Sequence, residues 1–147
     1  MATLSVIVGY CGSGKSKLLA LIKTAFPLVC TMEEGFANPG NDGDRGGRQG
    51  ILAGLRAGRD CAVGSMDCAH VEHRDKVARE VEAEAPGTRI VWVVYENDVT
   101  RCNENCARDT SRQRDVAGNV AQNDSWASGY SIPSGAVVLG VYPLPPR

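Results

Sequence analysis

Eight residues near the amino terminus, Gly9–Ser16 (Gly-Tyr-Cys-Gly-Ser-Gly-Lys-Ser), constrain the fold of this chain more than any other segment. They follow the apolar run Leu4–Val8, and in the segment after them Leu18, Leu19 and Ile22 recur at helical spacing. Three glycines in so short a turn let the backbone bend tightly. A strand, a glycine-rich turn and a helix in this order are typical of the first unit of an α/β protein.

The same eight residues meet the requirements of a phosphate-binding loop (P-loop). Backbone N–H groups form the wall of such a loop, so glycines are needed where the chain approaches the phosphates. Lys15 supplies a charge to the β- and γ-phosphates, the Ser16 hydroxyl is a ligand for Mg²⁺, and the following helix directs its positive end at the same anion. We therefore predict binding of ATP and Mg²⁺ by Gly9, Cys11, Gly12, Ser13, Gly14, Lys15, Ser16 and Lys17.

The rest of the chain repeats the pattern of a strand followed by a helix. Strands are predicted at about 3–8, 28–32, 61–65, 89–95 and 136–141, and helices at about 15–24, 51–58, 72–85, 98–108 and 116–128. Asp98 is a candidate cap for the fourth of these helices. The run 89–95 is the most apolar and β-branched, which predicts a central strand. We expect one domain over residues 1–147, a three-layer α/β sandwich of the P-loop NTPase type with a parallel five-stranded sheet.

Composition limits the classes of protein to which the chain can belong. Hydrophobic residues make up 43% and charged residues 22%, and the net charge is −1, so a polyanion would have to bind at a local basic patch. No apolar stretch reaches the roughly 20 residues of a membrane helix. The six cysteines lack the paired spacing of a secreted scaffold. We expect reduced thiols, a cytoplasmic location and no membrane partner, and a homo-oligomer stays open.

Several later segments, together with the P-loop, resemble one family over nearly the whole chain. They are Gly58 before the third strand, the end of that strand at Asp67, the helix with Arg74, and the run Tyr95–Asp98 that leads to Arg108. The chain resembles the small P-loop kinases that include phage polynucleotide kinase and zeta-toxin-like kinases. This resemblance implies transfer of the γ-phosphate of ATP to a hydroxyl of a nucleic acid or nucleotide. An acceptor such as 5-hydroxymethyluracil in phage DNA, phosphorylated in the host cytoplasm, is one candidate.

The resemblance also implies a role for one of two glutamates, and a third carboxylate stands where open α/β sheets bind ligands. A carboxylate after the second strand would accept the proton of the acceptor hydroxyl, and Glu33 or Glu34 fills that place. Members of the family commonly have Asp there and an Arg shortly after it, whereas this chain has no arginine before Arg45. Asp67 ends the third strand, where open α/β sheets carry ligand chemistry. We predict that it holds Mg²⁺ through water or orients the acceptor, with a helix N-cap as the alternative.

An arginine-rich segment follows the fourth strand and resembles a kinase lid. It contains Arg101, Arg108, Arg112 and Arg114. An arginine that closes over the γ-phosphate stabilises the charge on its oxygens during transfer. We predict this role for Arg108 first and Arg112 second, with a solvated helix face as the alternative for each.

Two other functions stay open. One is a non-catalytic nucleotide-binding module whose P-loop controls a partner. The other is a small-metabolite kinase such as a shikimate-like enzyme, which would share the fold and direct two or more arginines at an acidic substrate. A switch GTPase is disfavoured, because no Asn-Lys-x-Asp segment follows a late strand.

Overall fold

A computed structural model describes residues 1–38, 45–109 and 115–143 of the chain. In these ranges the strands are β1 (Thr3–Val8), β2 (Cys30–Met32), β3 (Cys61–Ser65), β4 (Arg89–Tyr95) and β5 (Val137–Leu139). The α-helices are α1 (Lys15–Ala25), α2 (Arg45–Arg56), α3 (Val71–Glu84), α4 (Val99–Arg108) and α5 (Val116–Ala127). A short 3₁₀ turn, Asp67–Ala69, joins β3 to α3. The α/β class predicted from the sequence is confirmed.

The five strands form one parallel sheet in the order β2-β3-β1-β4-β5. The middle strand is β1, in which Val6 lies between Val63 of β3 and Trp92 of β4. The prediction that β4 is the central strand is therefore wrong by one place. Strand β5 pairs only with the last three residues of β4, so the first half of β4 has no second neighbour among the described residues and stays partly exposed.

Side chains of β1 point alternately to the two faces of the sheet and define the layers. Leu4, Val6 and Val8 belong to a large buried cluster that includes residues of α2 and α3. Ile7, between them, packs with Leu19 of α1 on the opposite face. Helices therefore cover both faces, which confirms the predicted three-layer arrangement.

Element ends differ from the sequence prediction at three places. Helix α2 begins at Arg45 rather than near residue 51, so the glycine-rich residues 45–50, which the predicted helix left out, are helical. Strand β2 begins at Cys30 because Leu28 lies outside the sheet and is exposed. Strand β5 is limited to Val137–Leu139. The cap at Asp98 is confirmed, since its carboxylate accepts a hydrogen bond from the Arg101 N–H at 3.0 Å.

The carboxyl ends of the strands place the polar segments of the chain at one edge of the sheet. The P-loop follows β1, residues 33–38 follow β2, and Asp67 follows β3. Parallel α/β sheets bind ligands at this edge. No helix in the described ranges is both long and apolar enough to cross a membrane.

Candidate active site

The P-loop adopts a backbone that only glycine accommodates at two positions. Gly12 has φ 85° and Gly14 has φ 113°, in the region that L-residues with a side chain rarely adopt. A Cβ atom on Gly14 would also lie 2.8 Å from Cβ of Tyr142. Gly14 precedes the first turn of α1 without a side-chain cap, and that turn contains no acidic residue. The N–H groups at the start of α1 are therefore open to an anion.

Lys15 is almost buried, and its ammonium group points back into the loop. Its Nζ donates to the carbonyl oxygens of Gly9 at 2.6 Å and Tyr10 at 2.9 Å. Glu34 Oε1 lies 3.5 Å from the same nitrogen. An ammonium group has three hydrogens, so two hold the loop in shape and the third faces Glu34. A phosphate oxygen can accept a hydrogen bond from this third hydrogen.

The surroundings of the Ser13 hydroxyl indicate whether the loop fits a phosphate group. Among the described residues, its oxygen is the one buried side-chain polar atom without a hydrogen-bond partner. A buried hydroxyl in that state costs free energy, and a ligand oxygen would satisfy it. This orphan hydroxyl, the left-handed glycines and the uncapped helix start together fit a bound triphosphate.

Two buried asparagines, which sequence reasoning missed, hold the P-loop from behind. Asn123 of α5 accepts from the Cys11 N–H and donates to the Cys11 C=O, both at 2.9 Å, so its amide pairs with the loop as a neighbouring strand would. Asn105 of α4 donates to the carbonyls of Gly12 at 2.9 Å and Tyr142 at 2.6 Å. Helices α4 and α5 thereby clamp the loop. No periodic or spacing signal marks an isolated asparagine, which is why the sequence did not indicate them.

Tyr10 is a second buried support that the sequence prediction left out. Its hydroxyl donates to Asn97 Oδ1 at 2.5 Å, and its ring stacks on Tyr130 with a centroid distance of 4.6 Å. Burial raises the pKa of Tyr10 to about 12, so the hydroxyl stays a donor at neutral pH. Tyr130 in turn donates to the Tyr95 carbonyl at 2.5 Å. These rings connect the P-loop to the end of β4.

The two adjacent glutamates after β2 point to different places. Glu34 lies beside the P-loop, because one carboxylate oxygen is 3.5 Å from Lys15 Nζ and the other accepts from the Met66 N–H at 3.2 Å. Glu33 instead lines an open cleft of about 210 Å³ together with Ser16 and Lys23. Of the two predicted bases, Glu34 is the one that contacts Lys15.

Asp67 is held by the segment that follows β2. Its Oδ2 accepts from Nδ2 of Asn38 at 2.5 Å. Helix α3 has His70 as its N-cap residue, and no side chain caps it. The structure therefore does not support the alternative of Asp67 as the cap of α3.

Of the arginines named in the sequence analysis, the structure describes Arg74 and Arg108 but not Arg112. Arg108 is the last residue of α4, is exposed, and lies three residues after the loop-clamping Asn105. Arg112 lies outside the described residues, so the arginine-rich lid stays a prediction. Arg74, part of the family resemblance, is buried and donates to the carbonyls of Cys68, Ala69 and Ser131, which gives it a structural task.

Two further predicted nucleotide-contacting residues have partners in the structure. The Cys11 N–H already donates to Asn123, so a contact of Cys11 with nucleotide stays a prediction. The Lys17 ammonium lies 4.9 Å from the centroid of the Tyr142 ring. Tyr142 also donates its N–H to the Ser13 carbonyl at 2.9 Å, so the segment after β5 closes over the start of α1.

Comparison with known proteins gives a result at the level of structure alone. No protein-family model matches the sequence, and no curated protein matches it. The chain is similar to a gluconokinase from Sinorhizobium meliloti 1021, with a TM-score of 0.59 and 19% identity over 97% of this chain and 84% of that one.

A shikimate kinase from Acinetobacter baumannii in complex with shikimate covers the same shares, with 12% identity and a TM-score of 0.45. A likeness of that size supports no inference about this chain. The similarity to the gluconokinase shows the fold, and it confirms the P-loop fold that the sequence predicts.

Proposed function

We propose that this chain is an ATP-dependent kinase that transfers the γ-phosphate to a hydroxyl group. The observation that carries the proposal is the placement of Glu34 Oε1 at 3.5 Å from Lys15 Nζ. A cation that binds the γ-phosphate and a carboxylate able to accept a proton meet there. A P-loop alone supports phosphate binding, whereas this pair supports phosphate transfer.

The P-loop supplies the nucleotide site in this proposal. The N–H groups at the start of α1, the Ser13 hydroxyl and Lys15 hold the β- and γ-phosphates. Ser16 and Asp67 hold Mg²⁺, since a hydroxyl and a carboxylate are the hard oxygen ligands that this ion prefers, and Glu33 borders the same cleft as Ser16. When bound, Mg²⁺ neutralises charge on the phosphates.

Glu34 is the base in this proposal, and Glu33 lines the neighbouring cleft. The acceptor oxygen forms a bond to the γ-phosphorus, the bond from that phosphorus to the β,γ-bridging oxygen breaks, and ADP leaves. The proton of the acceptor hydroxyl passes to Glu34. Lys15 stabilises the charge on the γ-oxygens, and Arg108, the last residue of α4, closes over the γ-phosphate.

Two acceptor classes are proposed, on different grounds. The resemblance to polynucleotide and zeta-toxin-like kinases supports a hydroxyl of a nucleotide or nucleic acid, such as 5-hydroxymethyluracil in DNA. Glu34 and Asp67 lie beside the reaction centre in this proposal, which favours a small acceptor without phosphates near its hydroxyl, since carboxylates repel a polyanion. The similarity in fold to a protein titled gluconokinase supports the same small-metabolite class.

Incubation with γ-labelled ATP, Mg²⁺ and a panel of acceptors tests the proposal. The panel contains nucleosides, nucleotides, 5′-hydroxyl oligonucleotides, 5-hydroxymethyluracil DNA, and sugar acids such as gluconate and shikimate. We expect label on one class of acceptor and none with Lys15→Ala. ATP binding without transfer to any acceptor would instead support the non-catalytic module.

A further inference from the structure

Asn38 stands at the centre of a polar network beside the proposed reaction centre. Its Nδ2 donates to Asp67 Oδ2 at 2.5 Å and lies 3.0 Å from His73 Nδ1. Its Oδ1 accepts from the Lys76 ammonium at 3.1 Å, and Lys76 also donates to the Ala37 carbonyl at 3.0 Å. One amide thus connects the segment after β2, the end of β3 and helix α3.

The chemistry of the partners fixes which way the amide points. The Lys76 ammonium only donates, so the atom that faces it is the amide oxygen. The nitrogen then faces Asp67 and His73, with one hydrogen for each. His73 Nδ1 has to accept, which places the ring proton on Nε2. Every hydrogen on Asn38 Nδ2 therefore has an acceptor.

A second contact fastens the same two segments together. Glu34, four residues before Asn38, accepts from the N–H of Met66, which directly precedes Asp67. The segment 34–38 is therefore joined to the end of β3 at both of its ends. This joins the proposed base and the proposed magnesium ligand into one unit.

We propose that Asn38 is a positioning residue that holds the Asp67 carboxylate by Oδ2 and leaves Oδ1 to act on Mg²⁺. This inference rests on the proposed function, because the task of Asp67 comes from it. Residues that hold a metal ligand in place commonly change metal affinity or activity by 10- to 100-fold when they are replaced. In Asn38→Asp, a second carboxylate faces that of Asp67 and the two repel each other. In Asn38→Ser, the side chain that donates to Asp67 is shorter.

Arg48 offers a matched control, because it fastens the same segment without touching Asp67. It donates to the Phe36 carbonyl at 2.9 Å and pairs with Glu80 of α3. Arg48→Met loosens the segment and leaves the amide network in place. A purely structural effect of the segment would appear in this variant too.

The test measures transfer kinetics, Mn²⁺ binding in the presence of ATP by electron paramagnetic resonance, and the ¹⁵N shifts of His73. For Asn38→Asp and Asn38→Ser we expect kcat and Mn²⁺ affinity to fall by about 10- to 100-fold, with ATP affinity without metal nearly unchanged. The His73 Nδ1 shift should report an unprotonated nitrogen in the parent chain and change in both variants. Arg48→Met should keep Mn²⁺ affinity within about threefold.

Equal losses in Arg48→Met, or unchanged Mn²⁺ affinity in folded Asn38 variants, would overturn the inference. The binding and ¹⁵N measurements do not require an acceptor. If the parent chain phosphorylates nothing, the proposed function fails while these two readouts still decide the role of Asn38.

Discussion

The nucleotide side and the acceptor side of the proposed site are held by different kinds of contact. The P-loop is clamped by Asn105 and Asn123, which are buried, neutral and bonded to backbone groups. The acceptor side depends on Glu34, which is 54% exposed and pairs with a lysine, and on the Asn38 network with its charged partners. Neutral buried amides fix a shape whatever the salt or pH, whereas exposed charges respond to what binds beside them. The P-loop is therefore held in one shape by neutral contacts, and in our proposal the chemistry belongs to the acceptor side.

Replacing Lys15 should give the largest effect, because this residue belongs to both sides. Lys15→Met removes the cation that contacts the loop carbonyls, Glu34 and, in the proposal, the γ-phosphate. We expect transfer to fall by about 10³-fold, which is the upper range for one charge-stabilising group. Steady-state kinetics and ATP titration measure it. If transfer by Lys15→Met stayed within tenfold of the parent chain, the P-loop would not be required for the activity.

The clamp on the nucleotide side can be broken at Asn123. Asn123→Ala leaves the part-buried N–H and C=O of Cys11 without their asparagine partner, and we expect a loss of about 2–4 kcal/mol in the free energy of unfolding. Denaturant unfolding measures this loss. Asn103→Ala is the matched control, because the hydrogen bonds of Asn103 in the described part of the chain go to Asn123 and the exposed Asp124 rather than to the P-loop. Equal losses of unfolding free energy in the two variants would show that the hydrogen bonds from Asn123 to Cys11 do not stabilise the fold more than other contacts of this helix pair.

A smaller effect is expected from the cap of α4, the helix that carries Asn105. Asp98→Ala removes the acceptor of the Arg101 N–H, and replacement of such a cap costs about 1 kcal/mol. The melting temperature should fall by a few degrees, while ATP affinity stays near that of the parent chain. A large loss of ATP affinity would mean that the clamp depends on the end of the helix as well as on its middle.

The sequence predicted those features that a repeating or local pattern encodes. The glycine loop, the strand β1 and the Asp98 cap follow from short-range chemistry, and the structure contains all three. The position of β4 in the sheet did not follow, since its apolar residues fit any interior strand and the short partner β5 decides its exposure. The start of α2 at Arg45 was missed because glycines discouraged a helix there.

The candidate site was predictable only in part for a related reason. Glu34 and Asp67 stand two residues after the ends of strands, and Lys15 ends the loop that follows β1. The fold brings these strand ends together, and the structure places Glu34 against Lys15. Asn38 and Asn123 act through contacts with residues 29 and 112 positions away in the chain. Such contacts exist only once the fold has formed, and a single asparagine in the sequence carries no sign of them.

The central claim is that the acceptor side performs the chemistry on a nucleotide that the other side binds unaided. The most direct measurement compares Glu34→Gln with Glu33→Gln for ATP affinity by calorimetry and for label transfer to the acceptor found in the panel. We predict that Glu34→Gln keeps or slightly tightens ATP binding, since a carboxylate no longer faces the phosphates, and loses about 10²-fold in transfer. Glu33→Gln should stay within tenfold of the parent chain. Equal transfer losses in the two variants, or full activity in Glu34→Gln, would contradict this account.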